Sequence, residues 1–450
     1  MSTVSVVPII DISESMSQYG HVEQALIDTQ AFLRLLKAGD KLAVVACDHK
    51  ARTVFTGNGG LATVDPLFNI TASAATAVAG LAFDGLSSAI GLGLQHSRSF
   101  LDSSRLSRAC VLLSDGQHND GPSPLEVLPI YPVMACALGP QADQHLLQQI
   151  AQRTGGRYFY APRAVDLMKV YNQIRATSAN AALLTNQLND IAQHGYQLIP
   201  LVIGQRPGAA QLSLVWSSRE VSYTSGSPRG NQLSVTLVDP SGVTSPLAPS
   251  IIGAGFVIFN LPHPEPGQWY LQVEFAGSGQ SISCTAGALQ HPVTARSGPA
   301  NIRLGVEMAA RHAVGQPLAL TAHLQAGGEV ISNVRAHAIV QGPTLSLADA
   351  LVKYHDQLRT VQALPFDRAT GIAEPLARLA ALRHTLLPEL DILAHQQRVV
   401  HLGAAAGQLG TWLDTPVPGS YSVQVVVSGD SQASGPFQRC ELASVLVTAD

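Results

Sequence analysis

Charge is scarce in this sequence. Asp, Glu, Lys and Arg make up 13% of its 450 residues, and 31 acids against 27 bases leave a net charge of −4. That is about half the charged share of an ordinary soluble domain. Lys and Arg nowhere gather into a block, so nucleic acid and anionic membrane surfaces find no electrostatic footing here and are not expected partners. Cysteine is sparse too. The five residues Cys47, Cys110, Cys136, Cys284 and Cys440 form no CxxC pair and no zinc spacing. The first three lie in apolar runs and read as small core side chains. An odd, thin set speaks for a reducing compartment, with a bridge between Cys284 and Cys440 left open. No apolar run reaches the roughly 18 residues that cross a bilayer. The N-terminus has no basic segment leading into an apolar one. The expected location is cytoplasmic if Met1 is the native start, and extracellular if a leader has been removed.

Reactive motifs are missing as well. There is no Walker A loop, no GxGxxG, no GxSxG elbow and no HExxH. The fifteen histidines are scattered without ligand spacing. Gly57-Asn58-Gly59-Gly60 reads as a surface loop. A hydrolytic role for Ser13 or Ser15 would need an adjacent base, and the neighbouring sequence supplies none. The expectation is a protein that is not an enzyme.

What is present begins at the N-terminus. Residues 4–10 are apolar except for Ser5, the pattern of a strand buried on both faces of a parallel sheet. Polarity then switches abruptly to Asp11-Ile12-Ser13-Glu14-Ser15 and Met16. In open α/β sheets, ligands bind where strands end. A D-x-S-x-S loop there offers short, hard oxygen donors of the kind Mg²⁺ and Mn²⁺ prefer. A second apolar strand, residues 109–113, ends in Ser114-Asp115-Gly116. Between the two, Asp84-Gly85-Leu86-Ser87-Ser88 precedes a helical run over 89–101.

Together these three pieces resemble the metal-ion-dependent adhesion site (MIDAS) of the von Willebrand factor type A domain, over roughly residues 1–178. The resemblance implies a doubly wound, Rossmann-like α/β fold. It implies that Ser13 and Ser15 bind a metal through their hydroxyls, while Asp11 and Asp115 hold its waters or bind it directly. Ser88 falls at the family's third hydroxyl position, with Ser87 as the alternative. Two acids, hydroxyls and retained waters suit octahedral Mg²⁺, or Mn²⁺, better than a seven-oxygen Ca²⁺ shell. The implied partner is a protein presenting an Asp or Glu to the metal. It would meet a rim of Glu14, residues 16–21, Leu86-Ser87 and residues 117–120, including His118, Asn119 and Asp120. His118 reads either as a partner contact or as a solvated loop residue. Pro8 departs from the pattern, because proline cannot donate to a central ladder, and a local irregularity is expected there.

The rest of residues 1–178 alternates strand and helix, the doubly wound pattern. Helices are expected over 22–36, 73–81, 143–153 and 164–177. A hairpin is expected over 42–55, and strands over 130–138 and 157–160. Residues 179–195, rich in Ala, Leu and Asn, read as a helical connector. Short strands at 211–216, 232–238, 256–260 and 269–275 then alternate with turn signals such as Asp239-Pro240-Ser241-Gly242, which predicts an antiparallel β-sandwich over 196–295. Residues 251–261 read as strand. The segment 233–242, with Pro266-Gly267-Gln268-Trp269, resembles the sandwich that follows the type A domain in the calcium-activated chloride channel regulator family and its bacterial relatives. A second sandwich is expected over 296–450, similar to the immunoglobulin-like modules of those bacterial proteins. It carries a helical insertion over 345–398: one helix starting at Ser346, a second over 375–387 and a third from Pro388 to Arg398. The insertion reads either as an interaction element or as cover for a sheet face. Two functions follow. One is a metal-dependent protein-binding module. The other is an assembly subunit, possible as an oligomer, whose sandwiches and insertion make the main contacts while the metal only steadies a loop.

Overall fold

The computed structural model describes residues 3–18, 20–65, 67–115, 118–139, 142–204, 208–277, 279, 281–291, 302–326, 330–345, 347–363, 374–385, 395–405, 408–432 and 435–449. Its first unit is a mixed sheet with helices on both faces. The strands are β1 (Val4–Asp11), β2 (Lys41–Leu42), β3 (Val44–Cys47), β4 (Ala51–Phe55), β5 (Ala62–Thr63), β6 (Ser107–Ser114), β7 (Val133–Leu138) and β8 (Tyr158–Ala161). The main path runs β4-β3-β1-β6-β7-β8. It is parallel except at β4, which turns back antiparallel at the edge. The helices are α1 (Glu14–Gln18), α2 (Val22–Arg34), α3 (Ile70–Ala79), α4 (Ile90–Leu101), α5 (Gln144–Arg153) and α6 (Leu167–Ala179). On one face of the sheet Ile27, Phe32, Val78 and Ile174 pack against Val6 and Ile10. On the other, Ile90, Leu94, Leu147 and Ile150 pack against Val7 and Ile9. All of β1 is buried, as a strand covered on both sides must be.

Pro8 shows how the sheet tolerates a missing donor. It lies opposite Val111 in an unbroken register with β6. On its other side β1 pairs with β2 at Ser5 and Val6, and with β3 only from Ile9 onward. Val6 accepts from the Ala43 amide on that side, and strand geometry turns Pro8 the same way two residues later. The absent N–H therefore faces the gap between two short partner strands.

The second unit packs two sheets face to face. One is β10-β16-β13-β12 (Tyr196–Ile203, Gly267–Ala276, Gln232–Val238, Ser222–Thr224). The other is β14-β15-β11-β17-β9 (Ile251–Gly253, Phe256–Leu261, Ala210–Trp216, Ser281–Gln290, Ala182–Ala192). Leu201, Leu212, Trp216, Val235, Phe259 and Leu271 fill the space between them. Here the expected connector helix at 179–195 is corrected. The chain leaves α6 at Asn180, whose φ of 53° breaks the helix. It then runs as β9, paired along its length with β17. Pairing with a long neighbour outweighs the helix propensity of Ala and Leu. Residues 251–261 form a β14–β15 hairpin, not one strand. The β12–β13 edge pair is parallel within an otherwise antiparallel sheet.

The third unit is built likewise from β18-β20-β24-β23 (Arg303–Met308, Leu318–Gln325, Gln408–Leu413, Gly403–Ala405) and β19-β26-β25-β21-β22 (Arg311–Ala313, Gly435–Thr448, Gly419–Ser431, Ile331–Pro343, His395–His401). Leu320, Val340, Val425, Phe437 and Val445 lie in its core. Helices α7 (Leu347–Lys353), α8 (His355–Leu358) and α9 (Glu374–Thr385) stand between β21 and β22. Their own small cluster of Ala350, Tyr354, Leu358, Leu379 and Leu382 is separate from the sandwich core. The third helix expected to run to Arg398 is corrected at its C-terminal end, because residues 395–398 belong to β22 and pair with β21. Ser346 and residues 388–394 lie outside the described residues.

The units share apolar surface. Val215, Phe256 and Ile258 of the first sandwich and Leu442 of the second belong to the same buried cluster as α2 and α6. Edge strand β8 meets the second sandwich through polar groups. The Tyr158 hydroxyl lies 2.7 Å from Ser420 Oγ, the Tyr160 amide donates to Ser444 Oγ at 3.0 Å, and Arg157 pairs with Glu441 at 2.9 Å. The five cysteines are all free and buried, so Cys284 and Cys440 are not bridged. Among the described residues no helix is long and apolar enough to cross a membrane.

One consequence is testable. Pro343 and His395 are direct partners across β21 and β22, so a tight turn can join them. Replacing residues 345–393 by a short hairpin loop should leave the sandwich folded, with near-UV circular dichroism of its core and its melting transition retained. Loss of that transition would make the helices part of the fold's foundation.

Candidate metal centre

Neighbouring parallel strands deliver the two acids. β1 and β6 run in register to Ile10 and Leu113, so Asp11 and the Ser114-Asp115 pair leave the sheet side by side. Both carboxylates are fully buried. The loop carrying the third hydroxyl is tied to them by backbone. Ser13 and Gly85 form a parallel bridge, Glu14 donates to the Gly85 carbonyl at 2.8 Å, and Gly85 donates to that of Ile12 at 3.2 Å. Glycine is required at 85 because a Cβ there would lie 2.4 Å from Asp48 Cβ.

The five expected ligands converge. Ser88 Oγ donates to Asp11 Oδ2 at 2.5 Å, and Ser114 Oγ donates to the same oxygen at 2.8 Å. The Ser13 amide donates to Asp11 Oδ1 at 3.1 Å. Ser15 Oγ donates to Asp115 Oδ1 at 2.8 Å, and Ser13 Oγ lies 2.9 Å from Ser15 Oγ. A hydroxyl has one proton and two lone pairs. With the Ser15 and Ser88 protons directed at carboxylates, their lone pairs turn to the space the acids enclose. With the Ser15 proton on Asp115, the 2.9 Å contact between Ser13 Oγ and Ser15 Oγ is a hydrogen bond that Ser13 donates.

Electrostatics also favour a cation. Burial raises the Asp11 carboxyl to about 6, and the neighbouring Asp115 adds to the rise, against the hydrogen bonds from Ser88, Ser13 and Ser114. Among the described residues neither acid forms an ion pair with Lys or Arg. The one ionisable side chain on them is His21, whose Nδ1 lies 3.0 Å from Asp115 Oδ2. A Ser–Asp–His contact invites comparison with hydrolases, but the order is wrong. Catalysis needs the imidazole on the hydroxyl, and here the carboxylate lies between them. Nor do three or more His, Cys, Asp or Glu side chains gather as a metal-ligating group among the described residues. The serine hydroxyls are therefore essential to any centre at this place.

The rim divides. Ser88 is 1% exposed, while Ser87 is half-buried and donates to Asp120 Oδ2 at 2.9 Å. Of the two hydroxyls, that of Ser88 reaches Asp11. Asn119 clamps Ser88 twice: its Oδ1 accepts from the Ser88 amide at 2.8 Å, and its own amide donates to the Ser88 carbonyl at 3.2 Å. His118 is half-buried, and desolvation holds its imidazole below the ordinary range. Glu14 is half-buried, and Leu86 is 72% exposed. Met16, expected on the rim, is a fully buried core residue, because α1 turns it under the loop onto the α2 layer. Tyr19, Gly116 and Gln117 lie outside the described residues. Ser114 and His21 are functional neighbours that sequence spacing does not single out; the one signal for Ser114 is its place beside Asp115 at a strand end.

An acid whose pKa is higher folded than unfolded stabilises the fold while protonated, and that contribution fades as pH rises. For Asp11 the window runs from its ordinary 3.8 to about 6. Asp11→Asn removes the titration. In metal-free buffer its stability relative to wild type should improve by roughly 2–3 kcal/mol between pH 4 and pH 7. Urea unfolding of both proteins at the two pH values measures this, and a difference that does not change with pH would contradict it.

Comparisons with known proteins bear on the same region. The model of the von Willebrand factor type A domain matches residues 5–173. No curated protein matches the chain. A solved von Willebrand factor type A protein from Catenulispora acidiphila shares 17% identity, covering 73% of this chain and 63% of that one, with a TM-score of 0.36. Proximal thread matrix protein 1 of the mussel byssus, with a zinc-occupied MIDAS motif, shares 17% identity over 43% of this chain and 51% of its own, with a TM-score of 0.32. The vWF domain of the type V pili tip protein Mfa5 from Porphyromonas gingivalis shares 23% identity over 26% and 39%, with a TM-score of 0.23. In all three cases this chain spans less than two thirds of the other protein. The match of the family model coincides with the doubly wound sheet from β1 to α6, so residues 5–173 form a von Willebrand factor type A domain.

Proposed function

We propose that the type A domain is a divalent-metal-dependent protein-binding module. Ser13, Ser15 and Ser88 would hold Mg²⁺ through their hydroxyls, with Asp11 and Asp115 as its charge partners. The observation that carries this reading is the pair of buried carboxylates, enclosed by hydroxyls whose protons already point at them. Burial and the neighbouring Asp115 make Asp11 costly to ionise without a cation. Mn²⁺ suits the same donors; Ca²⁺ asks for more oxygens. When bound, the dication supplies a Lewis-acid position that an Asp or Glu of a partner protein can fill. The chain's own part is to fix the donors. Gly85 and Asn119 set the position of Ser88, and the β1–β6 register sets the separation of the acids. The rim beyond the metal is polar apart from Leu86, so the affinity for a partner should rest heavily on the metal contact.

Two measurements test the reading. A ligand that binds only the folded state stabilises it by about 2.7 kcal/mol at a hundredfold excess over its dissociation constant. Added Mg²⁺ or Mn²⁺ should therefore raise the melting temperature of wild type and not of Asp11→Ala, and equal shifts in both would rule out this centre. In pull-downs from the native host, chelation and Ser13→Ala should each release the partner, with Mg²⁺ restoring capture for wild type alone. Capture that survives both treatments would move the contacts to the sandwiches and helices, in favour of an assembly role.

A further inference from the structure

A second cluster of metal-ligating groups lies far along the chain from the oxygen-lined centre. Strands β21 and β22 pair antiparallel with His337 directly opposite His401. Directly opposed residues on one sheet face carry Cβ atoms about 4.5–5.5 Å apart. Two imidazoles on such a pair can reach one ion at the usual metal–nitrogen distance of about 2.0–2.1 Å. His337 is half-buried and His401 exposed, so one ligand is held and the other stays open to solvent. Neither ring has a hydrogen-bond partner among the described residues. Burial first, and the neighbouring His401 second, keep the His337 imidazole below its ordinary range. It is therefore neutral near pH 7, the form that ligates.

The surroundings set the class of ion. Val426 lies across from His337 on β25, and the next pair on the same face is Ile339–Val399. No carboxylate stands at these positions, so hard cations find no charged oxygen. Imidazole nitrogen suits borderline transition dications. Arg335, one pleat away on β21, opposes a second positive charge and keeps the affinity modest. We propose that His337 and His401 form a binding site for a transition dication of the Cu²⁺, Ni²⁺ or Zn²⁺ class, completed by water and independent of the Asp11–Asp115 centre. β22 is the edge strand of its sheet, and just beyond His401 the chain crosses to β23 in the opposing sheet. An ion held by both rings clips this edge strand to β21 at that crossing, and with it the return of the chain from α9.

Electron paramagnetic resonance of the full chain with one equivalent of Cu²⁺, in excess Mg²⁺, tests the site. Wild type and Asp11→Ala should both show coupling to two imidazole nitrogens. His401→Ala and His337→Gln should each lose that two-nitrogen signature while far-UV circular dichroism is unchanged. If His337→Gln does not fold, the exposed His401→Ala variant decides alone. A two-nitrogen signature that persists in His401→Ala, or oxygen-only ligation in wild type, would overturn the proposal. So would its loss in Asp11→Ala, which would assign the copper to the type A centre.

Discussion

Two carboxylates are buried at the ends of neighbouring parallel strands, and like charges in a low dielectric repel strongly. Asp11 and Asp115 are held there by the pairing of β1 with β6, and what surrounds them answers to that repulsion. Four serine hydroxyls contact them or each other, a backbone amide closes on Asp11, and an imidazole touches Asp115. A slip of one residue in the β1–β6 register would turn Asp11 from the loop toward a helix-covered face, since strand side chains alternate. Residues 4–10 are apolar on both faces and packed by separate helix layers, and the unbroken ladder with β6 from Val4 to Ile10 holds the register.

The remainder of the chain is fastened to this sheet by two kinds of contact. The first sandwich joins through apolar packing, in which Val215, Phe256 and Ile258 complete the layer that α2 and α6 begin, and through hydrogen bonds of Asn186 with Asn172 and the Lys169 carbonyl. So close is the approach that a Cβ on Gly255 would meet Ile27 at 2.9 Å. The second sandwich joins through hydrogen bonds and the Arg157–Glu441 pair, with Leu442 reaching into the apolar layer. Val426 and Cys440 of the second sandwich pack in turn with Ala176, Leu183 and Leu289.

Much of the type A domain was legible because its signals are local and agree with one another. A continuous apolar run followed at once by D-x-S-x-S announces a buried strand and its polar end. Ser114-Asp115 repeats the pattern, and Asp143, expected to begin the helix over 143–153, caps α5 from one residue before it. What sequence could not show depends on partners distant in the chain. The stretch 182–192 has helix-forming composition, yet β17 claims it. Residues 395–398 continue a helical-looking segment until β21 pairs with them. His21 reads as an ordinary rim residue until the fold sets it against an acid 94 positions later. Ser87 and Ser88 are adjacent hydroxyls in the sequence, and the fold separates them by sending Ser88 Oγ to Asp11 and Ser87 Oγ to Asp120.

Strand β8 ends the parallel sheet, and an uncovered terminal strand is a template on which another chain can grow. Here the neighbour is a set of side chains: Ser444 takes the Tyr160 amide, Ser420 meets the Tyr158 hydroxyl, and Arg157 spans to Glu441. The second sandwich thus works as a stopper on a sheet it does not join. A type A domain cut away from it would present a bare, adhesive rim to its own copies, and its solubility in isolation would depend on a protein surface more than 250 residues downstream in the chain.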